Sequence, residues 1–248
     1  MTYPIQRASL TIALAVLIVF LLTCGRGVAV AGDDLFTEDF TDSSANWANY
    51  DSSGFLTHVA SGGPDGGAYA SGPRSFEGLM PDDFSPVIFR ARHDNPWNSS
   101  GDAFVGNWNT EGIRQVRAFV RHHAPTPLTF FLRVAVPFNF PGHAYTTGVP
   151  VAPDTWVEQV FDVSRTSADL LSPEDSTWGE VYNNVGHLQF GVLLPTGLED
   201  ESTFFTFDID KVTIATPEPS ALLLAVGGML ALVGWARGGR ARTRRARL

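Results

Sequence analysis

Two aspartates near the end of the chain form the first pattern that could carry chemistry. Asp208 and Asp210 stand two residues apart in the segment from Phe205 to Ile214. The apolar residues before Asp210 and those after Lys211 fall on opposite faces of an extended strand, so burying both sets requires a bulge or a switch of sheets. Carboxylates at such a break offer the oxygen ligands that Ca²⁺ prefers. The pattern therefore predicts a metal corner, unless the carboxylates are solvated or Asp210 caps a turn.

A tryptophan in a polar, turn-forming stretch is the second candidate. Trp97 lies within His93–Gly101, and the sequence HDNPWNSSG indicates a loop. An exposed aromatic ring beside amides and carboxylates is the arrangement that binds sugars, because sugars present apolar faces and hydroxyl edges. We therefore predict that Trp97 is a glycan-binding platform. The alternative is that its ring packs into the core.

The body of the chain carries no motif of a known catalytic site. It contains no nucleophile elbow, metalloprotease helix, phosphate loop or dinucleotide fingerprint. Glycoside hydrolysis would need two carboxylates facing each other across a cleft, whereas Glu158 and Asp162 face outward from one predicted strand. Zinc is not expected, because the histidines are scattered and the body has no cysteine. We predict a non-enzymatic protein with no catalytic residue; a secreted glycan hydrolase on the same scaffold is the alternative.

Charge is distributed unevenly along the 248 residues. The segment from Gly32 to Thr216 holds 25 acidic and nine basic residues, so its net charge is −16. Such a body is repelled by nucleic acid and by anionic membrane surfaces, which excludes nucleic-acid binding. The one cysteine, Cys24, precedes this segment, so the body has neither a disulfide nor thiol chemistry.

The first 31 residues have the layout of a secretory signal peptide. Arg7 provides the charged start, the apolar run extends from Leu10 to Leu22, and Ala29-Val30-Ala31 provides the small-residue cleavage site. We predict export by the Sec machinery and cleavage after Ala31. A lipoprotein signal ending at Cys24 is the alternative, although threonine is a poor residue before a lipobox cysteine.

The chain ends in an apolar segment followed by a basic tail. Pro217 and Pro219 cannot continue a helix or a strand ladder, so they predict an extended hinge after the body. The residues from Ala221 to Trp235 predict a single transmembrane helix near the lower length limit. A basic tail would stay in the cytoplasm and leave the acidic body outside. The six arginines of this tail are Arg237, Arg240, Arg242, Arg244, Arg245 and Arg247.

This C-terminal arrangement resembles the PEP-CTERM sorting signal of Gram-negative bacteria. The Pro217-Glu218-Pro219 motif, the apolar helix and the terminal arginines stand in the order of that family. The resemblance implies recognition by an exosortase, a membrane protease thought to cleave near the motif. It also implies export across the inner membrane and a mature protein at the cell surface or in the extracellular matrix. The alternative is a permanent single-pass anchor on a structural protein.

The body alternates apolar and other residues with period two, which is typical of half-buried strands. Clear stripes lie at Leu128–Val136, Val157–Val163 and Leu188–Val192. Further strands are predicted at Leu35–Phe40, Gly54–Ala60, Val87–Arg92, Ala103–Trp108 and Ile113–His122. Turn residues separate them, and only Thr166–Glu180 allows a helical turn. We therefore predict an all-β fold, an antiparallel, jelly-roll-like β-sandwich.

Short patches of the body resemble carbohydrate-binding-module-like and laminin-B-like β-sandwiches. The patches are Glu38-Asp39-Phe40 followed by Trp47, the glycine-rich turn from Ser61 to Tyr69, Phe104–Trp108, and the run from Phe207 to Val212. The resemblance implies a structural calcium ion between the first strand and the last. Here Glu38 or Asp39 would hold that ion together with Asp210.

These features divide the chain into a signal peptide at 1–31, a β-sandwich domain at 32–216 and a sorting signal at 217–248. The expected function is that of a non-enzymatic surface or matrix component. Its expected partners are the exosortase, the Sec machinery, and exopolysaccharide or other matrix proteins, with only transient contact with the membrane. No cofactor other than a structural calcium ion is expected.

Overall fold

The computed structural model describes residues 33–80 and 86–216. The predicted cleavage site at Ala31, the Pro217-Glu218-Pro219 motif, the apolar segment and the arginine tail lie outside the described residues and stay predictions. Within the described ranges, no helix is long and apolar enough to cross a membrane.

Eleven strands in these ranges form two antiparallel sheets. The first sheet contains β1 (Asp33–Glu38), β2 (Thr57–Val59), β3 (Tyr69–Arg74), β5 (Gln115–His122), β8 (Val157–Asp162) and β11 (Phe205–Thr216). The second contains β4 (Val87–Arg92), β6 (Leu128–Ala135), β7 (Gly142–Val151), β9 (Leu170–Ser172) and β10 (His187–Leu193). The strand orders are β2-β3-β11-β5-β8, with β1 also paired to β11, and β4-β10-β6-β7-β9. Connections hold the helices α1 (Trp108–Glu111) and α2 (Trp178–Tyr182) and a 3₁₀ turn at Ser99–Asp102.

The packing of the two sheets confirms the predicted antiparallel β-sandwich. Leu128, Phe130 and Leu132 alternate along β6 and are fully buried in the core. The chain passes repeatedly from one sheet to the other, as in jelly-roll sandwiches. Because the described body has no disulfide, burial of these apolar faces is its main source of stability.

The strand predicted at Ala103–Trp108 is wrong, and three strands were not predicted. Asn107 starts α1 instead, because its Oδ1 accepts a hydrogen bond from the Thr110 amide at 2.9 Å. The missed strands are β3, β7 and β9. In β7, Gly148 and Pro150 interrupt the alternation, and a register shift against β6 accommodates both. The helical turn allowed within Thr166–Glu180 is α2, which starts at Trp178.

The predicted break in the last strand is confirmed. Against β5, the register of β11 jumps from Asp210 to Thr213, and Lys211 has a φ of 48°. The bulge turns the strand, so Ile209 before it and Val212 after it are both fully buried. Asp210 thereby occupies a fixed position at the bulge.

Neighbouring strand ends set the position of the loops. In the first sheet, Asp33 at the start of β1 pairs with Thr216 at the end of β11. In the second sheet, His187 at the start of β10 pairs with Arg92 at the end of β4 and with Ala135 at the end of β6. The loops that follow β4 and β6 therefore flank the start of β10.

Candidate functional site

A cleft of about 940 Å³ opens between the loops that follow β4 and β6. It lies over the outer face of the second sheet, because Leu188 points into the core and the neighbouring His187 points the other way. Its lining combines one arginine, two histidines, two aspartates, three asparagines, a proline and one phenylalanine. A volume in the range of about 300–1,000 Å³ and a convergent polar lining are typical of small-molecule sites.

The rim of the cleft carries the two most exposed large hydrophobic side chains of the described residues. Phe138 is 92% exposed and Phe140 is 66% exposed, and they flank Asn139 in the β6–β7 loop. We refer to Phe138-Asn139-Phe140 as the tip. Large exposed apolar patches often mark interaction surfaces, which makes the tip a candidate.

The tip is held in place by a half-buried arginine of β6. Arg133 binds both carboxylate oxygens of Glu174, at 2.5 and 2.7 Å. Its other donors reach the side-chain and main-chain oxygens of Asn139, at 3.0 and 2.6 Å. Gln189 also donates to the Asn139 side chain at 2.7 Å. These bonds keep Asn139 at a φ of 65°, which asparagine tolerates better than most residues, and so fix the direction of the neighbouring rings.

The charged groups of the cleft are paired among themselves. Arg92 binds both carboxylate oxygens of Asp94, at 2.8 and 2.5 Å. With its amide nitrogen turned toward Asp102, Asn98 donates to both Asp102 oxygens at 2.8 and 2.5 Å, and His93 Nδ1 lies 3.4 Å from the same carboxylate. The cleft therefore offers amide and carboxylate groups that are already oriented.

Two carboxylates, Asp94 and Asp102, line the cleft, and the hydrolase alternative requires two that face each other across it. Burial raises the pKa of Asp94, but the hydrogen bonds and charge of Arg92 outweigh it and hold the pKa below its usual value. A glycosidase acid needs the opposite shift, because it must carry a proton near neutral pH. Asp94 is therefore suited to accept hydrogen bonds from a ligand and not to protonate one.

His187 forms the floor of the cleft and supports the β6–β7 loop. Its side chain is buried, and Nε2 lies 2.8 Å from the Pro137 carbonyl oxygen. Burial above all, and then the charge of Arg92, lowers the pKa of His187. The neutral ring donates Nε2–H to Pro137, while Nδ1 has no hydrogen-bond partner among the described residues.

Trp97 lies in a loop, as predicted, but the expectation that its ring is exposed is wrong. The residue is 9% exposed. Its amide donates to the Asp94 carbonyl at 2.8 Å, and this tight turn directs the ring inward. The ring packs edge-on against Phe55 at 5.0 Å and lies 5.4 Å from the Arg92 guanidinium carbon. Trp97 supports the wall of the cleft from behind.

The residues of the tip were missed in the sequence. The signal was present: the alternation of β6 stops at Val136, and the sequence PFNFPG follows before the next strand. Two phenylalanines on either side of an asparagine, between prolines and glycine, cannot both turn into the core from a hairpin loop. That combination could have identified Phe138 and Phe140.

A second polar feature lies at the β11 bulge, where the metal corner was predicted. Asp210 is 1% exposed. Burial above all, and then the charges of Asp65 and Asp39, raise the pKa of Asp210 to about 7. A Cβ atom on Gly63 would lie 3.0 Å from Asp210 Oδ2, 3.0 Å from the Ala68 carbonyl oxygen and 3.1 Å from that of Gly67. We refer to these three converging oxygens in front of Gly63 as the cradle.

The structure brings together some of the predicted calcium ligands and not others. Asp39 lies close enough for its charge to act on Asp210. Glu38 instead accepts a hydrogen bond from the Phe40 amide at 3.0 Å. Asp208 pairs with Arg121 at 2.8 Å. Among the described residues, no group of three or more histidine, cysteine, aspartate or glutamate side chains is arranged to hold a metal ion, so any ion would depend on main-chain oxygens.

Comparisons with known proteins give a likeness of fold. No protein-family model and no curated protein matches this sequence. The chain is similar to the CBM22-1–GH10 modules of Clostridium thermocellum endo-1,4-β-D-xylanase 10B complexed with xylohexaose, with 17% identity and a TM-score of 0.46, over 77% of this chain and 30% of that one.

Two isolated carbohydrate-binding modules are similar over nearly their whole length. The xylan-binding CBM22-1 domain of Paenibacillus barcinonensis Xyn10C shares 13% identity, with a TM-score of 0.44, over 78% of this chain and 100% of that one. A family 11 module of the C. thermocellum cellulase Lic26A-Cel5E shares 14% identity, with a TM-score of 0.42, over 76% of this chain and 96% of that one. The assignment of a two-sheet β-sandwich rests on the strand pairing described above.

Proposed function

We propose that this chain is an exported, non-enzymatic protein of the bacterial surface or extracellular matrix that binds polysaccharide through the cleft and the tip. The observation that carries the proposal is the exposed ring of Phe138, which lines a polar cleft, with the exposed ring of Phe140 in the same loop. A phenyl ring packs against the apolar face of a sugar, and amides and carboxylates accept or donate hydrogen bonds at its hydroxyl edges.

The rigidity of the loop that carries the tip favours binding of a polymer. Because Arg133, Gln189 and His187 hold the loop that carries the tip, little conformational entropy remains to be lost when a ligand docks. Binding of a sugar would cover the two rings and remove the cost of exposing them to water.

Binding of the purified protein to a polysaccharide panel tests this function. Xylohexaose and a mixed-linked β-1,3-1,4-glucan are suitable first probes, measured by isothermal titration calorimetry and affinity electrophoresis. We expect binding without release of new reducing ends. Absence of binding to every polysaccharide would contradict the proposal, and accumulation of reducing ends would favour the hydrolase alternative.

Sorting through the C-terminal motif is the second part of the proposal, and sequence alone supports it. Replacing Pro217 and Pro219 by alanine should leave the precursor in the inner membrane of a host that encodes an exosortase. Intact mass and cell fractionation measure the outcome. Processing of the double variant at the normal rate would contradict sorting, and a wild-type product that retains Arg247 in the membrane would favour a permanent anchor.

A structural calcium ion in the cradle completes the proposal. The residues present suit such an ion, because hard cations take carboxylate and main-chain carbonyl oxygens together. Asp210 and the carbonyl oxygens of Gly67 and Ala68 would hold it, and Asp39 lies close enough to add charge. The bound ion would compensate the buried charge of Asp210 and tie the loop that contains Gly63 to β11.

A further inference from the structure

A second cavity lies apart from the cleft, between α1, α2 and the loop that follows β8. Its volume is about 380 Å³, and its lining is Asn109, Arg114, Arg165, Thr177, Trp178 and Gly179. None of these residues lines the cleft. We refer to this cavity as the arginine pocket.

Both arginines of this pocket lack an acidic partner. Among the described residues, Arg114 and Arg165 form no ion pair, whereas Arg92, Arg121 and Arg133 each bind a carboxylate. Arg74 and Arg90 also form no ion pair among the described residues. The feature particular to Arg114 and Arg165 is that both line one cavity. Arg114 is half-buried and Arg165 is exposed, and together they give the cavity two guanidinium groups.

Arg114 is held rigidly by neutral groups. Its guanidinium carbon lies 4.8 Å from the centre of the Trp178 ring, which itself stacks on Tyr182 at 4.4 Å with an interplanar angle of 4°. Its Nη1 donates to the carbonyl oxygens of Ile113 and Trp108, and its Nη2 donates to Asn109 Oδ1 at 3.2 Å. Three of the five N–H groups of the guanidinium are used, and no acceptor carries a charge.

Three carboxylates of the surrounding segments accept local hydrogen bonds. Glu180 caps α2, accepting from the Thr177 amide at 2.6 Å and from the Thr177 hydroxyl at 2.8 Å. Asp162 accepts from the Ser164 amide at 2.9 Å, and Asp169 accepts from the Asp162 amide at 3.2 Å. Each of these side chains uses one carboxylate oxygen to accept a hydrogen bond from a nearby main-chain amide.

We propose that the arginine pocket binds the carboxylate group of an acidic saccharide, that is, a uronic acid residue of a polysaccharide. The planar donor fork of arginine matches a carboxylate. The Thr177 hydroxyl donates to Glu180. The Asn109 amide donates to Asn183, so the second N–H of that amide is the donor left for a sugar hydroxyl. The anion site stands on its own geometry; the identification of its ligand as a saccharide rests on the proposed function. The pocket would then hold single uronic acid residues, because the net charge of −16 on the body disfavours a long polyanionic chain, while the cleft contacts the neutral sugar faces.

Calorimetry of the purified full-length protein with an oligogalacturonate and with a neutral oligosaccharide of equal length tests the pocket. We expect Arg165→Gln to weaken binding of a short oligogalacturonate by about tenfold, because it removes a charge-assisted donor for the carboxylate. Arg74→Gln is the matched control, because Arg74 also forms no ion pair among the described residues and stacks on Tyr50 at 3.9 Å, outside the pocket.

Each outcome separates the two proposals. The proposed anion site is wrong if Arg165→Gln leaves the affinity for oligogalacturonate unchanged. It is also wrong if Arg74→Gln reduces that affinity by the same factor. Equally tight binding of acetate or inorganic phosphate overturns the saccharide assignment. If Phe138→Ala/Phe140→Ala abolishes neutral-sugar binding while Arg165→Gln changes nothing, the proposed function stands and this inference fails. If only Arg165→Gln has an effect, the inference stands and the cleft does not bind sugar.

Discussion

The tip places two apolar rings in water, whereas the cradle places a carboxylate in the interior. Phe138 is 92% exposed and Asp210 is 1% exposed, the reverse of what their side chains prefer. Removing an exposed ring changes the free energy of unfolding little. Any partner that covers such a ring must be another molecule. A buried carboxylate is stabilised by a proton, as a pKa raised to about 7 allows, or by a bound cation. Changes at the tip should therefore alter affinity, and changes at the cradle should alter stability.

The largest expected effect is on calcium-dependent stability. A hundredfold excess of Ca²⁺ over its dissociation constant should raise the melting temperature by roughly 5–10 °C, because an ion bound only by the folded state adds about 2.7 kcal/mol. Asp210→Asn should abolish this rise, because it removes the buried charge that the ion compensates. Differential scanning calorimetry with calcium and with a chelator measures both.

Matched variants sharpen the calcium experiment. Gly63→Ala should also abolish the rise in melting temperature, since its methyl group would enter the cradle. Gly54→Ala is its control and should keep the rise, because the nearest atom to a Cβ at that position lies at 4.0 Å. Asp175→Asn, at an exposed position, should keep the full response. A calcium response that survives Asp210→Asn, or its absence from the wild type, would show that the cradle holds no calcium.

At the tip, the expected effect is on affinity. Phe138→Ala/Phe140→Ala should weaken polysaccharide binding roughly thirtyfold, about 2 kcal/mol, because aromatic side chains dominate such contacts. The melting temperature should move by less than about 1 °C, since exposed side chains contribute little to folding. Phe204→Ala is the control, because Phe204 is 60% exposed and lines neither the cleft nor the arginine pocket. Equal loss of affinity in the control would remove the tip from the binding site.

A smaller effect is expected at the residue that positions the tip. Arg133→Lys keeps the charge but loses the fork that binds Glu174 and Asn139, so affinity should fall about fivefold, roughly 1 kcal/mol. Combined with Phe138→Ala/Phe140→Ala, it should cause no further loss, because both changes act through the same rings. Full additivity in this double-mutant cycle would mean that Arg133 does not act by positioning the tip.

The smallest expected effect is on the pH dependence of stability. Burial lowers the pKa of His122, His143 and His187. A group with a lowered folded-state pKa takes up its proton more readily when the chain unfolds, so these histidines stabilise above pH 6.5 and lose that contribution as the pH falls.

His187→Gln isolates one of these groups, because glutamine keeps a donor for the Pro137 carbonyl without titrating. Urea unfolding between pH 7.5 and 5.5 should show a shallower loss of stability in the variant. Asp210, with its pKa raised to about 7, acts with the opposite sign, and comparing both proteins at one calcium concentration cancels its contribution. An identical pH dependence in the two proteins would exclude a titrating His187.

Much of the fold could be predicted from the sequence, because the strand pattern is local. The alternation of apolar residues along Leu128–Val136 predicted β6. The change of parity at Asp210 predicted the bulge of β11. Strands with internal glycine and proline, such as β7, were missed because their pairing depends on a neighbouring strand and not on their own residues.

The candidate site was predicted only in part, because its groups meet through tertiary structure. Asp210 was identified, but the carbonyl oxygens of Gly67 and Ala68 have no side-chain signal. Arg133 and Glu174 are 41 residues apart, so nothing local indicates their pairing. Trp97 was expected to face solvent because its loop is polar, yet one turn hydrogen bond to Asp94 directs its ring inward.

The pairing of Asp33 with Thr216 also determines how the sandwich responds to mechanical load. When the two ends are pulled apart, antiparallel neighbours separate one hydrogen bond at a time, so β1 should peel from β11 at low force. A force applied between a polymer bound at the cleft and Thr216 instead acts across both sheets. Many hydrogen bonds then carry the force at the same time. The same domain would then be weak when stretched between its ends and strong when it tethers a polymer to whatever holds its C-terminal strand.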